Sequence, residues 1–386
     1  MNYCFNYNIK YSREISIIHV SFVRLRPRYD LRLNRMRILI VKLSSIGDII
    51  HAMPAIAAAR RALPEADISW VVEERSAEIL RGAWMSDLER PLVDNLIEID
   101  TRSMRGGKVI DEIVLDMSRQ AKLIRQQKYD IAIDMQGLIK SGAIAKISGA
   151  KRRWGFSRKD LRESASRFFL TDTVKIEPQT HIIRKNLRLA SGSLGFEYDD
   201  THLEFPVGTN EDHRAEANEI VARSGENFAI LNPAGGWVTK LWHAEKFGAL
   251  ADRIFEETGM TSVVATAPNE IELAQKVAAN SRSGKLILTQ PTLKGFYELA
   301  KRAKVYVGGD TGPTHIAVAA KAPVVGLFGP TEWWRNGSLT PADICVERVG
   351  LPCRTDCHRR TCNKWICMDS DVETVMAAVS RRLVSI

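Results

Sequence analysis

The sequence predicts an α/β protein built from two doubly wound domains that face each other across a cleft. Short apolar runs rich in β-branched residues alternate with amphipathic helical stretches, which is typical of parallel sheets covered by helices. This alternation stops near residues 205–210, where turn residues cluster, and then restarts. At 386 residues the chain is long enough for two cores. We therefore predict an extension at 1–35, domains at 36–207 and 208–370, and a C-terminal helix at 371–386.

The first predicted strand, residues 37–41, is a short apolar run of the kind found in buried parallel strands. The further strands of this domain are predicted at 68–72, 95–99 and 130–134. A helix is predicted over 49–63, ended by Pro64, and a second amphipathic helix over about 109–127.

The second domain repeats the same Rossmann-like pattern. Its strands are predicted at 228–232, 261–266, 285–289, 305–308 and 324–328, and its helices at 243–258, from about 270, and at 293–303. The carboxyl ends of the strands in both domains are where a ligand is expected, because open α/β sheets bind ligands there.

Composition limits the classes of function. The formal net charge of +9 suits an anionic partner, whether nucleic acid, a membrane surface or a phosphorylated substrate. No apolar run approaches the roughly 18 residues of a membrane-spanning helix. Residues 1–35 read as a dispensable extension rather than a signal peptide, with Met36 a plausible start. Five of the six cysteines lie after residue 344, which favours a reducing, cytosolic setting.

The first candidate site is the segment Ser44-Ser45-Ile46-Gly47-Asp48, between the first strand and the first helix. Ser45 and Asp48 have the spacing of a capping box, so a purely structural role is one interpretation. The other is that Asp48 projects into the cleft as a general base, since an ionised carboxylate there can take a proton from an attacking hydroxyl.

The second candidate site runs from Gly308 to His315 and opens an apolar helix directly after a strand. Glycines let the backbone approach a ligand closely, and the helix N-terminus offers N–H groups to a diphosphate. A helix cap formed by Asp310 or Thr311 is the alternative. Two glycines, Asp, Thr and His at one strand end exceed what a cap requires, so we favour ligand binding.

A third loop, from Asn232 to His243, contains paired glycines and Lys240, which could neutralise a phosphate or could be a solvated lysine. Two common nucleotide signatures are missing. The sequence has no G-x-G-x-x-G fingerprint, and Gly137 to Gly142 has P-loop spacing but is followed by Ala143 instead of lysine, which argues against a P-loop NTPase.

Four motifs in order resemble the lipopolysaccharide heptosyltransferases of glycosyltransferase family 9. They are Met36 to Asp48, Trp70-Val-Val-Glu-Glu74, Asp134-x-Gln-Gly-Leu-x-Lys-Ser141 and Asp310-Thr-Gly-Pro-Thr-His315. The likeness covers residues 36–337 and is strongest to the type I members, which add the first heptose of the inner core. It implies a GT-B fold and an inverting, metal-independent transfer from ADP-heptose to Kdo on lipid A.

The resemblance also implies roles for individual residues. Asp48 would be the catalytic base, with acceptor contacts from Ser45, Arg102 and Arg162. The donor ADP-sugar would be held by residues of the second domain: Gly235, Gly236, Lys240, Glu270, Asp310, Thr311, Gly312 and His315. The chain departs from the family at Gly235 and Gly236, where related enzymes carry two threonines, so contacts from hydroxyls to phosphate would be lost there.

Two further segments leave alternatives open. The basic and aromatic stretch from Lys151 to Lys159 could bind RNA, form a solvated face or meet the anionic acceptor at the inner membrane, and we favour the last. The spacing of Cys353, Cys357, Cys362 and Cys367 allows either a structural zinc ion or packed free thiols. We expect no cofactor in catalysis and no nucleic-acid partner.

These observations predict a cytoplasmic glycosyltransferase associated peripherally with the inner membrane. Within the class, a type II heptosyltransferase or an enzyme for another nucleotide sugar is the alternative. From another class, a non-catalytic protein that binds sugar nucleotides would keep the glycine turns but would not need Asp48.

Overall fold

The computed structural model describes residues 35–100, 120–353, 357 and 359–385. The chain divides into two units, Met1–Asn34 and Arg35–Ile386, and every described residue belongs to the second. The described part contains two six-stranded sheets, in which every strand pairs in parallel with its neighbours. Each sheet lies within the span predicted for one domain; the domain boundaries themselves stay a prediction.

The central strands of the first sheet, β1, β2 and β6, are apolar runs whose side chains are buried on both faces, as parallel strands between helices require. Strands in this half of the chain are β1 (Arg37–Val41), β2 (Asp67–Glu73), β3 (Trp84–Met85), β4 (Arg90–Pro91), β5 (Asn95–Ile99), β6 (Ile131–Asp134), β7 (Arg152–Phe156) and β8 (Asp172–Val174). The order across the sheet is β5-β2-β1-β6-β7-β8, while β3 and β4 form a separate antiparallel pair.

The helices of this half are α1 (Ile46–Ile50), α2 (Met53–Ala62), α3 (Glu74–Ala77), α4 (described over 120–126), α5 (Ile139–Ile147) and α6 (Ile182–Leu194). Most of α2 is buried, and it packs with α6 over the β1 side chains Ile38 and Ile40 in one core cluster.

The second sheet repeats the arrangement. Its strands are β9 (Phe228–Asn232), β10 (Thr261–Ala265), β11 (Leu286–Thr289), β12 (Val305–Gly309), β13 (Val324–Phe328) and β14 (Ile344–Glu347), in the order β11-β10-β9-β12-β13-β14. Its helices are α7 (Glu211–Ser224), α8 (Ala244–Thr258), α9 (Ile271–Ala279), α10 (Leu293–Ala300), α11 (Gly312–Ala319), α12 (Trp333–Asn336) and α13 (Val372–Val384).

In both sheets the order in which the chain adds strands reverses direction at the centre of the sheet. In the first sheet, chain order runs outward in one direction from β1 and resumes on its other side at β6; in the second sheet the same happens between β9 and β12. Loops at the carboxyl ends of such a strand pair diverge to opposite faces of the sheet and leave a crevice for ligands. The three candidate segments of the sequence therefore follow β1, β9 and β12, which flank the two crevices.

The structure corrects the helix predicted over 49–63. That segment is divided between α1 and α2, with His51 and Ala52 between them, and Pro54 occupies the second position of α2. Proline has no N–H for a bond to the preceding turn, so it fits the start of a new helix and not the middle of a long one.

Several elements were absent from the sequence prediction: β7, β8, β14, α6 and α7. In contrast, α13 begins at the residue after Asp371, whose carboxylate accepts a hydrogen bond from Thr374 N at 2.6 Å, as a cap should. Of the helix predicted over 109–127, residues 120–126 are helical and 109–119 lie outside the described part. Within the described residues, no helix is both long and apolar enough to span a bilayer.

Candidate functional site

Asp48 lies in the first turn of α1, at the carboxyl end of β1. Its Oδ2 accepts a hydrogen bond from Ser45 N at 3.1 Å, which is the backbone half of the predicted capping box. The carboxylate is nevertheless partly accessible, with 15% of the side chain exposed. Asp48 therefore combines a capping contact with a face open to the crevice.

Two cations compensate the charge of Asp48. Lys42 Nζ lies 3.6 Å from Asp48 Oδ1 and donates to Met135 O at 3.0 Å, although only 2% of its side chain is exposed. Arg162 Nη2 lies 3.2 Å and 3.4 Å from the two carboxylate oxygens. Burial opposes ionisation of Asp48, but the charges of Lys42 and Arg162 outweigh it and hold its pKa well below the usual range.

The loop after β6 is hydrogen-bonded to the loop that carries Asp48. Gln136 Oε1 accepts hydrogen bonds from Leu43 N at 3.1 Å and Ser44 N at 3.4 Å. Buried Asp134 in turn accepts from Gln136 N at 2.9 Å and Gly137 N at 3.0 Å, and burial raises the pKa of Asp134 to about 6. The backbone that carries the candidate base is thus bound to the neighbouring strand of the sheet.

The same loop fixes the segment that carries Arg162. Glu163 N donates to Gly137 O at 3.0 Å, and Glu163 Oε2 accepts from Ile139 N at 2.6 Å. Leu161 is buried in the core of the first sheet. Since both neighbours of Arg162 are anchored, its side chain is directed at Asp48 from a defined backbone position.

Lys240 and Asp310 form a buried ion pair at the crevice of the second sheet. Lys240 Nζ lies 2.6 Å from Asp310 Oδ2 and 2.9 Å from Asp310 O, and both side chains are less than 10% exposed. Burial disfavours the Asp310 carboxylate, but the hydrogen bond from His315 and the charge of Lys240 hold its pKa well below the usual range. This crevice therefore holds a buried ammonium–carboxylate pair next to the start of α11.

Helix α11 begins at Gly312 directly after this pair. Its N-cap is Thr311, whose side chain makes no capping hydrogen bond, and Pro313 fills the first turn. The alternative interpretation of this turn as a side-chain helix cap is therefore not supported, because no side chain among the described residues caps α11. A helix N-terminus left without a side-chain cap presents N–H groups and the positive end of the helix dipole to an anion.

The loop that carries Lys240 has a second feature. Lys240 Nζ lies over the Trp237 ring, 4.1 Å from its centroid, and Arg360 Cζ lies 5.7 Å from the same centroid. A Cβ on Gly235 would come within 2.8 Å of Leu241 Cδ2, whereas a Cβ on Gly236 would meet no atom within 4 Å. The two glycines therefore differ: a side chain at the first would force Leu241 to move, and the second faces open space.

The two crevices meet at α1 and α11. A Cβ on Gly47 would collide with the ring of His315, and a Cβ on Gly312 would lie 3.6 Å from Ile46. The rings of His51 and His315 are in edge contact, with centroids 4.2 Å apart. Because Gly47 precedes Asp48 and His315 bonds to Asp310, the candidate base and the candidate donor turn lie on opposite sides of one narrow gap.

Two buried histidines line this junction. His51 Nε2 has no hydrogen-bond partner among the described residues, and burial holds the pKa of His51 well below its usual value. His181 Nε2 lies 3.0 Å from Gly337 O, and burial lowers the pKa of His181 to about 4. Both rings are therefore neutral near pH 7, so Lys42, Arg162 and Lys240 supply the positive charge.

The remaining predicted site residues have different outcomes. Ser45 bonds to Asp48 as described, while Arg102 lies outside the described residues. Glu270 follows β10, the next strand outward from β9, and its Oε2 accepts a hydrogen bond from Ala267 N at 3.0 Å. Its role toward a donor ribose stays a prediction.

The four tail cysteines line one cavity of about 380 Å³ beside the Lys240 loop, and Thr239 Oγ1 bonds to Arg359 O at 2.5 Å there. The neighbouring thiols, together with burial, raise the pKa of Cys367. Across the described residues, no three His, Cys, Asp or Glu side chains are arranged to hold a metal ion. The zinc site stays a prediction based on spacing and the shared cavity.

Sequence reasoning missed Lys42, Gln136, His51 and Trp237. Lys42 and Gln136 stand within the quoted motifs, and a lysine that ends a buried strand is the one local signal that was available. The partners of His51 and Trp237 come from distant elements, so no local pattern identifies them.

Comparisons with known proteins agree with this geometry. The family model described as glycosyltransferase family 9 (heptosyltransferase) matches residues 117–367. Lipopolysaccharide heptosyltransferase 1 of Pseudomonas aeruginosa is 28% identical over 327 residues, covering 85% of this chain and 87% of that protein. The enzyme of the same name from Escherichia coli K12 is 27% identical over 297 residues, covering 77% and 89%.

A solved structure, E. coli heptosyltransferase WaaC with ADP-2-deoxy-2-fluoro heptose, superimposes with a TM-score of 0.67 at 26% identity and covers 82% of this chain and 94% of that chain. The two six-stranded parallel sheets match the GT-B architecture of such structures. The GT-B prediction is therefore confirmed.

Proposed function

Because the chain belongs to glycosyltransferase family 9, the heptosyltransferases, we propose that it transfers heptose from ADP-L-glycero-D-manno-heptose to the Kdo residue of lipid A. The chain is a glycosyltransferase, and its relatives include lipopolysaccharide heptosyltransferases of the first type. The observation that carries the proposal is the contact between the Asp48 loop and the Asp310 turn through Gly47 and His315.

The proposed donor site is the crevice between β9 and β12. Lys240 places a cation there, and the N-terminus of α11 adds N–H groups and dipole. Gly312 leaves the start of α11 without a side chain where it approaches Ile46 of α1, and Gly236 in the Lys240 loop leaves open space.

In the proposed reaction, the Asp48 carboxylate accepts the proton of an acceptor hydroxyl as that oxygen attacks the anomeric carbon. The bond from the anomeric carbon to the diphosphate oxygen breaks on the opposite face, so configuration is inverted and ADP leaves. Negative charge grows on the departing diphosphate, and Lys240 and the α11 N-terminus stabilise it. Fixed donors of this kind contribute about 3 kcal/mol each in other enzymes, so we propose that no divalent metal is needed.

The proposed acceptor site lies beside Asp48 on the first sheet. Arg162 supplies a partly exposed guanidinium, which suits a carboxylate or phosphate because its planar N–H groups can bind two oxygens. In the basic stretch after β6, Arg152 pairs with Asp172 at 3.1 Å and stacks on Trp154, so that stretch is already partly neutralised within the fold. This weakens the interpretation of the stretch as a nucleic-acid interface.

We also propose that the protein works at the cytoplasmic face of the inner membrane. A surface depression beside helices α4 and α5 of the first half is lined by Lys122, Arg125, Lys146, Ile147 and Phe169. Basic side chains beside apolar ones suit an anionic lipid surface. Sedimentation with vesicles of phosphatidylglycerol and phosphatidylethanolamine tests this: binding that falls with salt is expected, and equal binding to purely zwitterionic vesicles would contradict it.

A structural zinc ion held by Cys353, Cys357, Cys362 and Cys367 is a further proposal, supported by their shared cavity. Elemental analysis of the purified protein should find about one zinc per chain, which is lost when Cys362 and Cys367 are changed to serine. The matched control is Cys345→Ser, because Cys345 lies in β14 and not on this cavity. Metal content below a tenth of an equivalent would reject the site.

The deciding experiment is transfer from ADP-heptose to Kdo-lipid A in EDTA, with Asp48→Asn alongside. Transfer by the wild type that collapses in the variant, while ADP still binds, supports both the reaction and the base. Binding of ADP-heptose without transfer to any acceptor would favour the non-catalytic alternative. Transfer from another nucleotide sugar, or to an acceptor that already carries heptose, would reassign the enzyme within the family.

A further inference from the structure

Both oxygens of the Asp48 carboxylate already have partners in the ligand-free site. Oδ2 accepts from Ser45 N, Oδ1 lies next to Lys42 Nζ, and Arg162 Nη2 reaches both oxygens. A general base must offer a lone pair to the acceptor hydroxyl at hydrogen-bond distance. The arrangement seen here stabilises the carboxylate as an anion, and the Arg162 guanidinium competes with an acceptor hydroxyl for its accessible side.

The two cations are not equivalent. Lys42 is almost fully buried and is bound to Met135 O, so it has no path to a substrate. Arg162 has 47% of its side chain exposed, and the acceptor is expected on its side of the crevice. One cation is therefore fixed beneath the base, and the other is free to turn toward an incoming anion.

We infer that Arg162 is a positioning residue that holds Asp48 in an ion pair until an anionic group of the acceptor takes its guanidinium. This rests on the proposed function, which places an anionic sugar acid next to Asp48. When Arg162 bonds to that anion, the carboxylate is left with Lys42 and Ser45 N, and a lone pair opens toward the acceptor hydroxyl. Binding of the correct acceptor and activation of the base become one event.

The groups that face Asp48 define the expected pH effect. They are Lys42 at the end of β1, Arg162 in its anchored loop, His51 after α1, and Ser45 N. An opposite charge at this distance lowers a carboxyl pKa by about 1 to 3 units. The pKa of Asp48 should therefore rise by that amount when Arg162 is taken by the acceptor, while staying low enough for the base to be ionised near pH 7.

The test compares two pH profiles measured with saturating donor. The profile of kcat/KM for the acceptor reports the enzyme before acceptor binding, and kcat reports the complex. In the wild type, the acid limb of kcat should lie about 1 to 3 pH units above that of kcat/KM. In Arg162→Gln the two limbs should coincide, and Arg162→Lys should restore part of the gap.

Arg214→Gln is the matched control, because Arg214 has a similar exposure (50% of its side chain), pairs with a carboxylate, Glu211, in α7, and belongs to no part of the proposed site. It removes the same charge and a similar ion pair and should keep the wild-type gap. Coincident limbs in the wild type, or a gap that survives in Arg162→Gln, would overturn the inference.

A second measurement needs no acceptor. A double-mutant cycle of Arg162→Gln and Asp48→Asn in chemical denaturation should show a coupling that disappears as the pH falls and Asp48 is protonated. No coupling at pH 7 would overturn the inference, because the ion pair would then be absent in solution. Coupling without any transfer activity would instead reject the proposed function and leave the ion pair standing.

Discussion

Replacing Lys240 by methionine separates two roles that this side chain combines. The ammonium group bonds to Asp310 inside the fold and is proposed to stabilise the leaving diphosphate. Methionine keeps the length and most of the volume of the side chain but removes the charge. The substitution therefore leaves a buried carboxylate with His315 and a 3.5 Å contact from Asn336 Nδ2 as its remaining partners.

Both effects have expected sizes. Losing one fixed donor to a developing negative charge costs about 3 kcal/mol, or roughly 10²-fold to 10³-fold in kcat. Breaking one side of a buried ion pair costs about 3 to 5 kcal/mol of unfolding free energy. We expect Lys240→Met to show both losses, measured as steady-state transfer and as urea denaturation.

The double variant Lys240→Met with Asp310→Asn distinguishes the roles. Removing the unpaired buried charge should bring the free energy of unfolding back to within about 1 kcal/mol of the wild type. It should not restore kcat, because no cation faces the diphosphate. Lys246→Met is the matched control: Lys246 also pairs with an aspartate, Asp369, but on the surface, so activity and stability should change little.

Two results would refute this reasoning. Recovery of kcat in the double variant would mean that Lys240 acts through the fold alone. Wild-type kcat in Lys240→Met would mean that the α11 N-terminus carries the diphosphate charge without help.

Three further predictions concern other parts of the site. Asp48→Asn should lower kcat by roughly 10² to 10⁴, with ADP affinity unchanged in calorimetry; a loss of less than tenfold would reject Asp48 as the base. Gly236→Thr should fold normally, because a Cβ there would meet no atom within 4 Å, and should lower the donor KM by roughly tenfold through a hydrogen bond from the added hydroxyl to phosphate. Gly235→Thr should instead lower the melting temperature, because its side chain meets Leu241. Equal melting temperatures and equal donor KM values for the two variants would contradict this difference in packing. The pKa of Asp134 is raised in the folded state, so its contribution to stability is complete below pH 4 and is lost as the pH rises through about 6. Asp134→Asn should therefore lose less unfolding free energy than the wild type between pH 4 and 7 in denaturant titrations.

The sheets were predictable from sequence because their strands are buried on both faces. Runs such as Ile38 to Val41 and Val305 to Val307 contain no residue that would suit an exposed strand, so they have one interpretation in a chain that also contains helices. Strands β7 and β8, at one end of the first sheet, were missed for the converse reason. Arg152 and Arg153 are half-buried, and a strand with charged side chains resembles a solvated loop.

The sequence predicted those parts of the site that depend on the order of strands and loops along the chain. Asp48, Lys240 and Asp310 each follow a strand, and parallel topology brings such positions to one edge of a sheet. The ion pairs were not predictable in this way, because Arg162 and Asp48 are 114 positions apart in the sequence and Lys240 and Asp310 are 70 apart. The sequence contains no local signal for either ion pair, so the electrostatic state of the base emerged only from the structure.

The junction of α1 and α11 explains why the two halves of the site need each other. The first crevice contains the proposed base, a carboxylate held anionic by two cations, and the second contains a cation held beside an anion at a helix N-terminus. Neither arrangement alone transfers a sugar, since a base without a leaving-group site has no electrophile and a diphosphate site without a base has no nucleophile. The absence of a side chain at Gly47 lets the ring of His315 reach α1 and brings the two within one gap. A methyl group at that position would displace the ring of His315, so Gly47→Ala should weaken the contact between the loop of the candidate base and the Asp310 turn.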